Sequence, residues 1–151
     1  MKSRPTWVLI ADGGHAKVFA ASAGSGKLTA VADMTFSIDL PATRDMLSDR
    51  PGRAFESQGR ARHAKENRSD PHRELKRAFA KKLGGILKAK LAENRFERLI
   101  LVAPPPALGD LRAMLPKSVL GTVTAELAQD LVKLPQRALA QHLQDVLRPG
   151  R

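Results

Sequence analysis

The sequence predicts a mixed α/β fold in which helices cover both faces of a five-stranded sheet. Two short segments, residues 7–11 and 99–102, are apolar at every position, which is typical of strands in the centre of a sheet. In residues 28–36 and 119–127 apolar side chains recur mainly at every second position, as they do in strands nearer a sheet edge. Residues 75–91 carry apolar side chains at helical spacing. Because the chain has 151 residues, we expect one domain over residues 1–151.

The first forty residues predict three strands joined by tight turns. Residues 7–11, 16–21 and 28–36 are the strand segments. Asp12-Gly13-Gly14 and Gly24-Ser25-Gly26 separate them, and glycines at such positions are typical of tight antiparallel connections. These three strands therefore form an antiparallel meander. A long loop follows at about residues 38–69, where periodicity fades and Gly, Pro, Ser and Arg accumulate, and a loop of this length is usually functional or disordered.

The clearest helix follows the loop. Asp70 can cap it, Pro71 fits its first turn, and its apolar residues continue to Leu91. Gly84-Gly85 interrupts the helix at about 1 kcal/mol per glycine relative to alanine. We therefore expect close packing or a soft point at these two glycines.

The remaining chain alternates strands and helices. Residues 99–102 form a strand, the prolines at 104–106 begin a short helix, residues 119–127 form the last strand, and residues 139–147 close the chain as an amphipathic helix. The two fully apolar strands belong side by side in the sheet centre. A meander joined to right-handed crossover units then gives the strand order 3-2-1-4-5, which is the ribonuclease H-like arrangement.

Charge and composition limit the functions that the chain can have. Lys and Arg number 26 against 15 Asp and Glu, a formal net charge of +11, which favours polyanionic partners, with an acidic protein as the alternative. The absence of cysteine excludes disulfides, thiolate catalysis, zinc fingers and iron–sulfur clusters. The four histidines form no metal-ligand pattern, and no dinucleotide or P-loop fingerprint occurs, so we expect neither a metal nor a cofactor. The apolar runs are too short for a membrane span or a signal peptide, so we expect a cytoplasmic protein without membrane contact.

The positive charge is concentrated in the middle of the chain. Residues 44–98 contain 16 of the 26 basic residues and 8 of the 15 acidic ones. Cations on a glycine-rich loop beside a basic helix suit phosphate contacts, although a solvated helix face and a mobile loop give the same pattern. Tyr is absent and Trp7 lies on a predicted core strand, so recognition of backbone and shape is expected rather than base stacking. The candidate RNA-binding residues are Arg50, Arg53, Arg60, Arg62, Lys65 and Arg68 in the loop and Arg73, Lys76, Arg77, Lys81 and Lys82 on the helix.

Asp12, at the end of the first central strand, has two interpretations. Nucleases with this strand order place a metal-binding carboxylate there, but two-metal cleavage needs several converging acids. The companions that can be proposed are Asp33, Asp110 and Asp130, and none has a convincing spacing. We therefore expect Asp12 to be a turn residue that caps the bend at Gly13-Gly14.

Several motifs follow one another along the chain in a specific order. They are residues 7–19, Asp49-Arg50-Pro51-Gly52-Arg53, Arg62-His63-Ala64, Asp70-Pro71-His72 and Asp130-Leu131. With these motifs, over residues 6–147, the sequence resembles the bacterial host attachment protein family, described as required for attachment to host cells.

That family is in turn similar to the middle domain of archaeal and eukaryotic peptide-release factors and of the ribosome-rescue factor Pelota. The resemblance implies the strand order given above and a loop between the third strand and the long helix that carries Gly-Gly-Gln in release factors. In that motif the glycines allow close approach to the peptidyl-tRNA ester, and the N–H of the glutamine stabilises charge on the leaving oxygen. The present chain departs from the pattern, because its loop reads Ser57-Gln58-Gly59-Arg60 and no Gly-Gly-Gln occurs.

Three functional hypotheses follow from the charge and the resemblance. The first is a domain associated with RNA, whose partner is the ribosome or tRNA. The second is an enzyme that hydrolyses peptidyl-tRNA esters, with Gln58, Gly59 and His63 as the candidate catalytic residues that orient water. The third is a non-enzymatic protein that acts indirectly in surface attachment. The sequence leaves the oligomeric state open.

Overall fold

A five-stranded mixed sheet forms the centre of the computed structural model, which describes residues 5–22, 27–40 and 71–147. The strand order is β3-β2-β1-β4-β5, as predicted. Strand β1 pairs with β2 antiparallel and with β4 parallel, β2 pairs with β3 antiparallel, and β4 pairs with β5 parallel. The strands are β1 (Thr6–Ala11), β2 (His15–Ala21), β3 (Leu28–Ser37), β4 (Arg98–Val102) and β5 (Val123–Leu127).

Five helices are present in the described part of the chain. They are α1 (Arg73–Ala92), α2 (Pro105–Met114), α3 (Lys117–Leu120), α4 (Gln136–His142) and α5 (Gln144–Leu147). The prediction that the last strand begins at residue 119 is wrong, because Val119 lies in α3 with its side chain fully buried. The predicted C-terminal helix is two short helices, with the buried Leu143 at the end of α4. No helix in the described ranges is both long and apolar enough to cross a membrane.

The two central strands are apolar throughout because helices cover the sheet on both sides. Trp7 and Leu9 of β1 belong to one core cluster, which also contains Leu83 of α1 and Leu111 of α2. Val8 and Ile10 belong to a second cluster with residues of α4. Successive side chains of a strand point to opposite faces, so residues 7–11 pack alternately into the two clusters. This arrangement confirms the prediction of helices on both faces.

Helix α1 packs closely against its neighbours at a glycine. A Cβ on Gly84 would lie 2.9 Å from Pro116 Cδ and 3.3 Å from Met114 O, so α1 touches the connection between α2 and α3 there. A Cβ on Gly85 would meet nothing within 4 Å. Of these two glycines, the structure therefore shows close packing at Gly84 alone.

The C-terminus of α1 is closed by a Schellman motif. Asn94 has φ of 59°, and the N–H groups of Asn94 and Arg95 donate to the carbonyls of Leu91 and Lys90.

Some sequence predictions lie outside the described residues. These are the cap at Asp70, the turn Gly24-Ser25-Gly26 and the predicted loop beyond Leu40. Helix α1 begins at Arg73, with His72 at the N-cap position and without a side-chain capping bond. Residues 38–40, where the predicted loop starts, have no regular secondary structure.

Candidate functional site

The turn between β1 and β2 is built around Asp12. Its Oδ1 accepts hydrogen bonds from the backbone N–H groups of Gly14, at 2.8 Å, and His15, at 2.7 Å. The Asp12 N–H donates to the carbonyl of His15 at 2.9 Å, and the His15 ring Nδ1 lies 3.1 Å from Asp12 Oδ1. Short polar side chains stabilise tight turns in this way. The interpretation of Asp12 as the capping residue of this bend is thus confirmed.

The same contacts set the charge of Asp12. Burial raises the pKa of this carboxyl group, while hydrogen bonds from the backbone of Gly14 and His15 and from the His15 ring lower it. The lowering contributions prevail, so the pKa lies below its ordinary value. Asp12 is therefore ionised at neutral pH, with its charge directed at donors of its own turn.

A cleft of about 600 Å³ opens beside this turn. It lies at the carboxyl ends of the parallel strands β1 and β4, where α1 and α2 also begin. Ligands of open α/β sheets commonly bind at this end of the strands. The lining residues are Asp12, Gly13, Gly14, His15, Leu40, Arg73, Lys76, Pro104, Pro106, Ala107 and Asp110.

Asp110 connects the two helices at the wall of the cleft. It is the one buried charged residue in the described part of the chain, at 5% exposed. Its Oδ1 lies 3.0 Å from Nη2 of Arg73 and its Oδ2 accepts from Nη1 of Arg73 at 3.3 Å. Arg77 Nε lies 3.9 Å from the same Oδ1. A carboxylate that accepts two guanidinium contacts fixes the plane of the arginine, so Arg73 is held in place at the cleft.

Lys76 reaches the cleft across Gly13. A Cβ on Gly13 would lie 2.7 Å from both Cδ and Cε of Lys76, so the methylene chain of Lys76 occupies the space that any other residue at position 13 would fill. The long apolar stem of a lysine packs against backbone in this way while its ammonium group stays at the surface. The glycine at position 13 is therefore matched to the lysine at position 76.

The structure divides the eleven candidate RNA-binding residues. Arg73 and Lys76 line the cleft, and Arg77 lies beside it through Asp110. Lys81 and Lys82 are exposed further along α1, and Lys82 lies about 180° around the helix from Arg73. The other six, Arg50, Arg53, Arg60, Arg62, Lys65 and Arg68, lie outside the described residues, as do the candidate catalytic residues Gln58, Gly59 and His63.

The positive charge is greater on α1 than on the segment before it. Residues 73–92 contain seven basic residues and one acidic residue, whereas residues 41–70 contain seven and five. Lys81, Lys82 and Lys88 pair with no carboxylate in the part of the chain that the structure describes. Three of the seven basic residues of α1 thus have no carboxylate partner among the described residues, whereas Arg73 and Arg77 pair with Asp110 and Lys90 pairs with Glu93.

The carboxylates considered as companions of Asp12 do not gather around it as metal ligands. Asp110 pairs with Arg73, and Asp33 lies on β3 at a residue with φ of 60°. Within residues 5–22, 27–40 and 71–147, no three His, Cys, Asp or Glu side chains come together as metal ligands. Trp7 is buried and stacks on Phe96 at 4.8 Å, as expected of a core residue. The lining of the cleft combines two cations, Arg73 and Lys76, and two carboxylates, Asp12 and Asp110, with several apolar residues.

Fold and cleft together define a mixed α/β protein with a ligand-sized site at the carboxyl ends of its central parallel strands. A family model described as "Protein required for attachment to host cells" matches residues 7–143. The chain belongs to this host attachment family, as its motifs predict. A comparison with curated proteins gives no match.

Proposed function

We propose that this host attachment protein binds RNA, and that α1 and the neighbouring cleft contact the phosphates of tRNA or of the ribosome. The observation that carries the proposal is the charge of α1, which has seven basic residues and one acidic residue in twenty. Arg73 and Lys76 bring this charge to the cleft, and exposed lysines continue it along the helix. The role in attachment is then indirect, through an RNA that the protein binds.

A helix with many basic residues suits the binding of a phosphate backbone for a physical reason. Each phosphate that a lysine or arginine neutralises releases condensed counterions, so the affinity rises with the number of contacts and falls steeply with salt. Helix α1 is 20 residues long, about 30 Å, which spans several phosphates of an RNA strand. An acidic protein partner is the alternative, and it is one outcome of the test.

The proposal includes a release-factor-like architecture of the ribonuclease H-like type. It is supported by the strand order β3-β2-β1-β4-β5, with parallel strands in the centre and helices on both faces. In release factors the loop between the third strand and the long helix carries the catalytic motif. This chain has no Gly-Gly-Gln, so we propose binding without ester hydrolysis.

The test is co-sedimentation with ribosomes, and filter binding of tRNA, from about 50 to 200 mM salt. The test variant replaces Lys76, Lys81 and Lys82 by Gln. The control variant replaces Lys117, Lys133 and Arg137 by Gln, which removes the same charge at exposed positions outside α1. We expect the affinity of the wild type to fall at least about tenfold over this range. The test variant binds weakly with a shallower salt dependence, and the control variant binds like the wild type.

Four results would overturn the proposal. Binding that does not depend on salt would show that phosphate contacts do not provide the affinity. Equal losses of affinity in the test and control variants would show that only the net charge of the protein matters. Release of peptide from a peptidyl-tRNA mimic by the wild type, abolished by Gln58→Ala, would establish the enzyme instead. Tight binding to acidic proteins with no RNA in the complex would assign the helix to a protein partner.

A further inference from the structure

We propose that the cleft at the carboxyl ends of β1 and β4 binds one nucleotide, with its phosphate on Arg73 and Lys76 and its base against the apolar residues of the lining. The inference rests on the proposed function and gives this site its ligand chemistry. The nucleotide is either a free mononucleotide or the phosphorylated end of an RNA chain.

The size and the lining of the cleft favour a nucleotide over a bare phosphate as the natural occupant. Its volume of about 600 Å³ lies within the range of about 300 to 1,000 Å³ that small-molecule sites have. Four residues of the lining are apolar, namely Leu40, Pro104, Pro106 and Ala107. A phosphate ion would leave these residues in contact with water, whereas a planar base covers some of them.

The charged wall has a defined geometry. The contacts of Arg73 with both oxygens of Asp110 fix its plane, and a guanidinium has five N–H donors, so donors remain for a ligand. Arg77 shares the Asp110 carboxylate, so this group of three keeps a net positive charge. Lys76, held across Gly13, adds a second cation on the same side.

The start of α2 offers a ligand few backbone donors. Helix α2 begins after Pro104, with Pro105 and Pro106 in its first turn, and proline has no N–H. This helix start therefore lacks most of the amide donors with which helix N-termini hold phosphates. Asp12, the other carboxylate in the lining, directs its charge to the N–H groups of Gly14 and His15, which weakens its repulsion of a phosphate.

The experiment is a calorimetric titration of the full chain with AMP, adenosine and inorganic phosphate. We expect AMP to bind at least about tenfold more tightly than either of the other two, because only AMP engages both the cations and the apolar residues. Lys76→Gln is expected to weaken AMP binding about tenfold, whereas the control Lys133→Gln, at an exposed position outside α1 and the cleft, changes it less than about twofold. Pro106→Ser, which alters an exposed proline of the lining, weakens AMP but not phosphate.

Gly13→Ala provides a second test of the charged wall that leaves every charge in place. The new methyl group displaces the Lys76 methylene chain, which is flexible, so the fold is retained while AMP binding weakens. Short RNAs with and without a 5′ phosphate, in competition with AMP, distinguish a free nucleotide from an RNA end. Competition by the phosphorylated RNA alone assigns an RNA end, and AMP binding without competition by either RNA assigns the free nucleotide.

The inference fails if AMP binds no better than phosphate, or if Lys76→Gln and Lys133→Gln affect AMP binding equally. Salt-dependent tRNA binding that persists in that case leaves the proposed function intact. Conversely, AMP binding with no affinity for tRNA or ribosomes overturns the proposed function and keeps the nucleotide site.

Discussion

At Asp12, burial and hydrogen bonding act in opposite directions. Burial raises the pKa of its carboxyl group, but hydrogen bonds from the backbone of Gly14 and His15 and from the His15 ring bring it below the ordinary value of 3.8. A carboxyl group whose pKa is lower in the folded chain stabilises the fold at every pH above its ordinary value. That contribution is lost as the pH falls through the folded value. The turn after β1 is therefore sensitive to acid.

We expect Asp12→Asn to lower the free energy of unfolding by about 1 kcal/mol at neutral pH, because the amide oxygen still accepts from the turn but has no charge. Below about pH 4 the difference from the wild type shrinks, since Asp12 itself becomes protonated and loses the same charge. Urea unfolding over a series of pH values measures both effects. Asp145→Asn, at an exposed position of α5, serves as the control. A difference that stays constant down to pH 2 would contradict the linkage.

Asp110 shows which part of the site the sequence could have revealed. At helical spacing it lies on the same side of α2 as Ala107 and Leu111, which are buried. A charged residue within an apolar stripe needs a partner, because an unpaired buried carboxylate is costly. The partner itself could not be identified, since Arg73 lies 37 residues earlier and meets Asp110 only through the packing of α1 on α2. From the sequence, Asp110 was proposed only as a possible companion of Asp12 in a metal site.

On α1, adjacent glycines have opposite structural roles. Gly84 lies against Pro116 and the backbone at Met114, where an added methyl group has no room. Gly85 faces open space and is exposed, so its only effect is the entropy of a glycine in a helix. The sequence predicted either close packing or a soft point for the pair, and the structure assigns packing to Gly84 and leaves Gly85 as a weak position of the helix.

Replacing each of these glycines by alanine should change stability in opposite directions. Gly85→Ala is expected to raise the free energy of unfolding by about 0.5 to 1 kcal/mol. Gly84→Ala gains the same helix propensity, but its methyl group forces the connection before α3 outwards. Because such overpacking costs about 1 to 3 kcal/mol, the net effect is a lower free energy of unfolding. Urea denaturation of the pair measures the difference directly, with the same residue change in both variants. Equal shifts would show that α1 does not pack at Gly84.

The error at Val119 has a simple cause in the periodicity of the chain. Val119 and Val123 are four residues apart, a spacing that fits the end of a helix as well as the alternation of a strand. Pro116 decides between the two, because it is the N-cap residue of α3, and its carbonyl accepts from the N–H groups of Val119 and Leu120. A short apolar segment next to a proline is ambiguous for this reason.

Across the whole molecule, the sheet was predictable and the cleft was not. The central pair β1 and β4 is apolar on both faces, and connection rules then leave few strand orders. The cleft requires Leu40, the start of α1 and the prolines at the start of α2 to meet at one edge of the sheet. No local pattern predicts that meeting, because the three segments are separated by about thirty residues or more from one another in the chain. The sequence indicated Arg73 and Lys76 through the charge of the helix, and Asp12 and Asp110 as candidate carboxylates, but it did not bring the two pairs into one site.

The net charge of +11 should give salt opposite effects on folding and on RNA binding. Seven cations on α1 repel one another and the rest of a positive molecule, which opposes the compact state. Salt shortens the screening length to about 8 Å at 0.15 M and relieves this repulsion. We therefore expect the midpoint of thermal unfolding to rise by a few degrees from about 10 to 200 mM NaCl, the direction in which affinity for RNA falls.

Lys82→Glu tests the cause of that rise. Lys82 is exposed on α1 and pairs with no carboxylate within the described residues, so reversing its charge removes repulsion without breaking a contact. We expect this variant to melt higher than the wild type at about 10 mM salt and to differ little from it at 200 mM. Lys133→Glu, an exposed reversal outside α1, should give a smaller increase. If salt instead lowers the melting temperature of the wild type, loss of RNA binding at high salt would reflect unfolding, and the salt dependence could no longer be assigned to phosphate contacts.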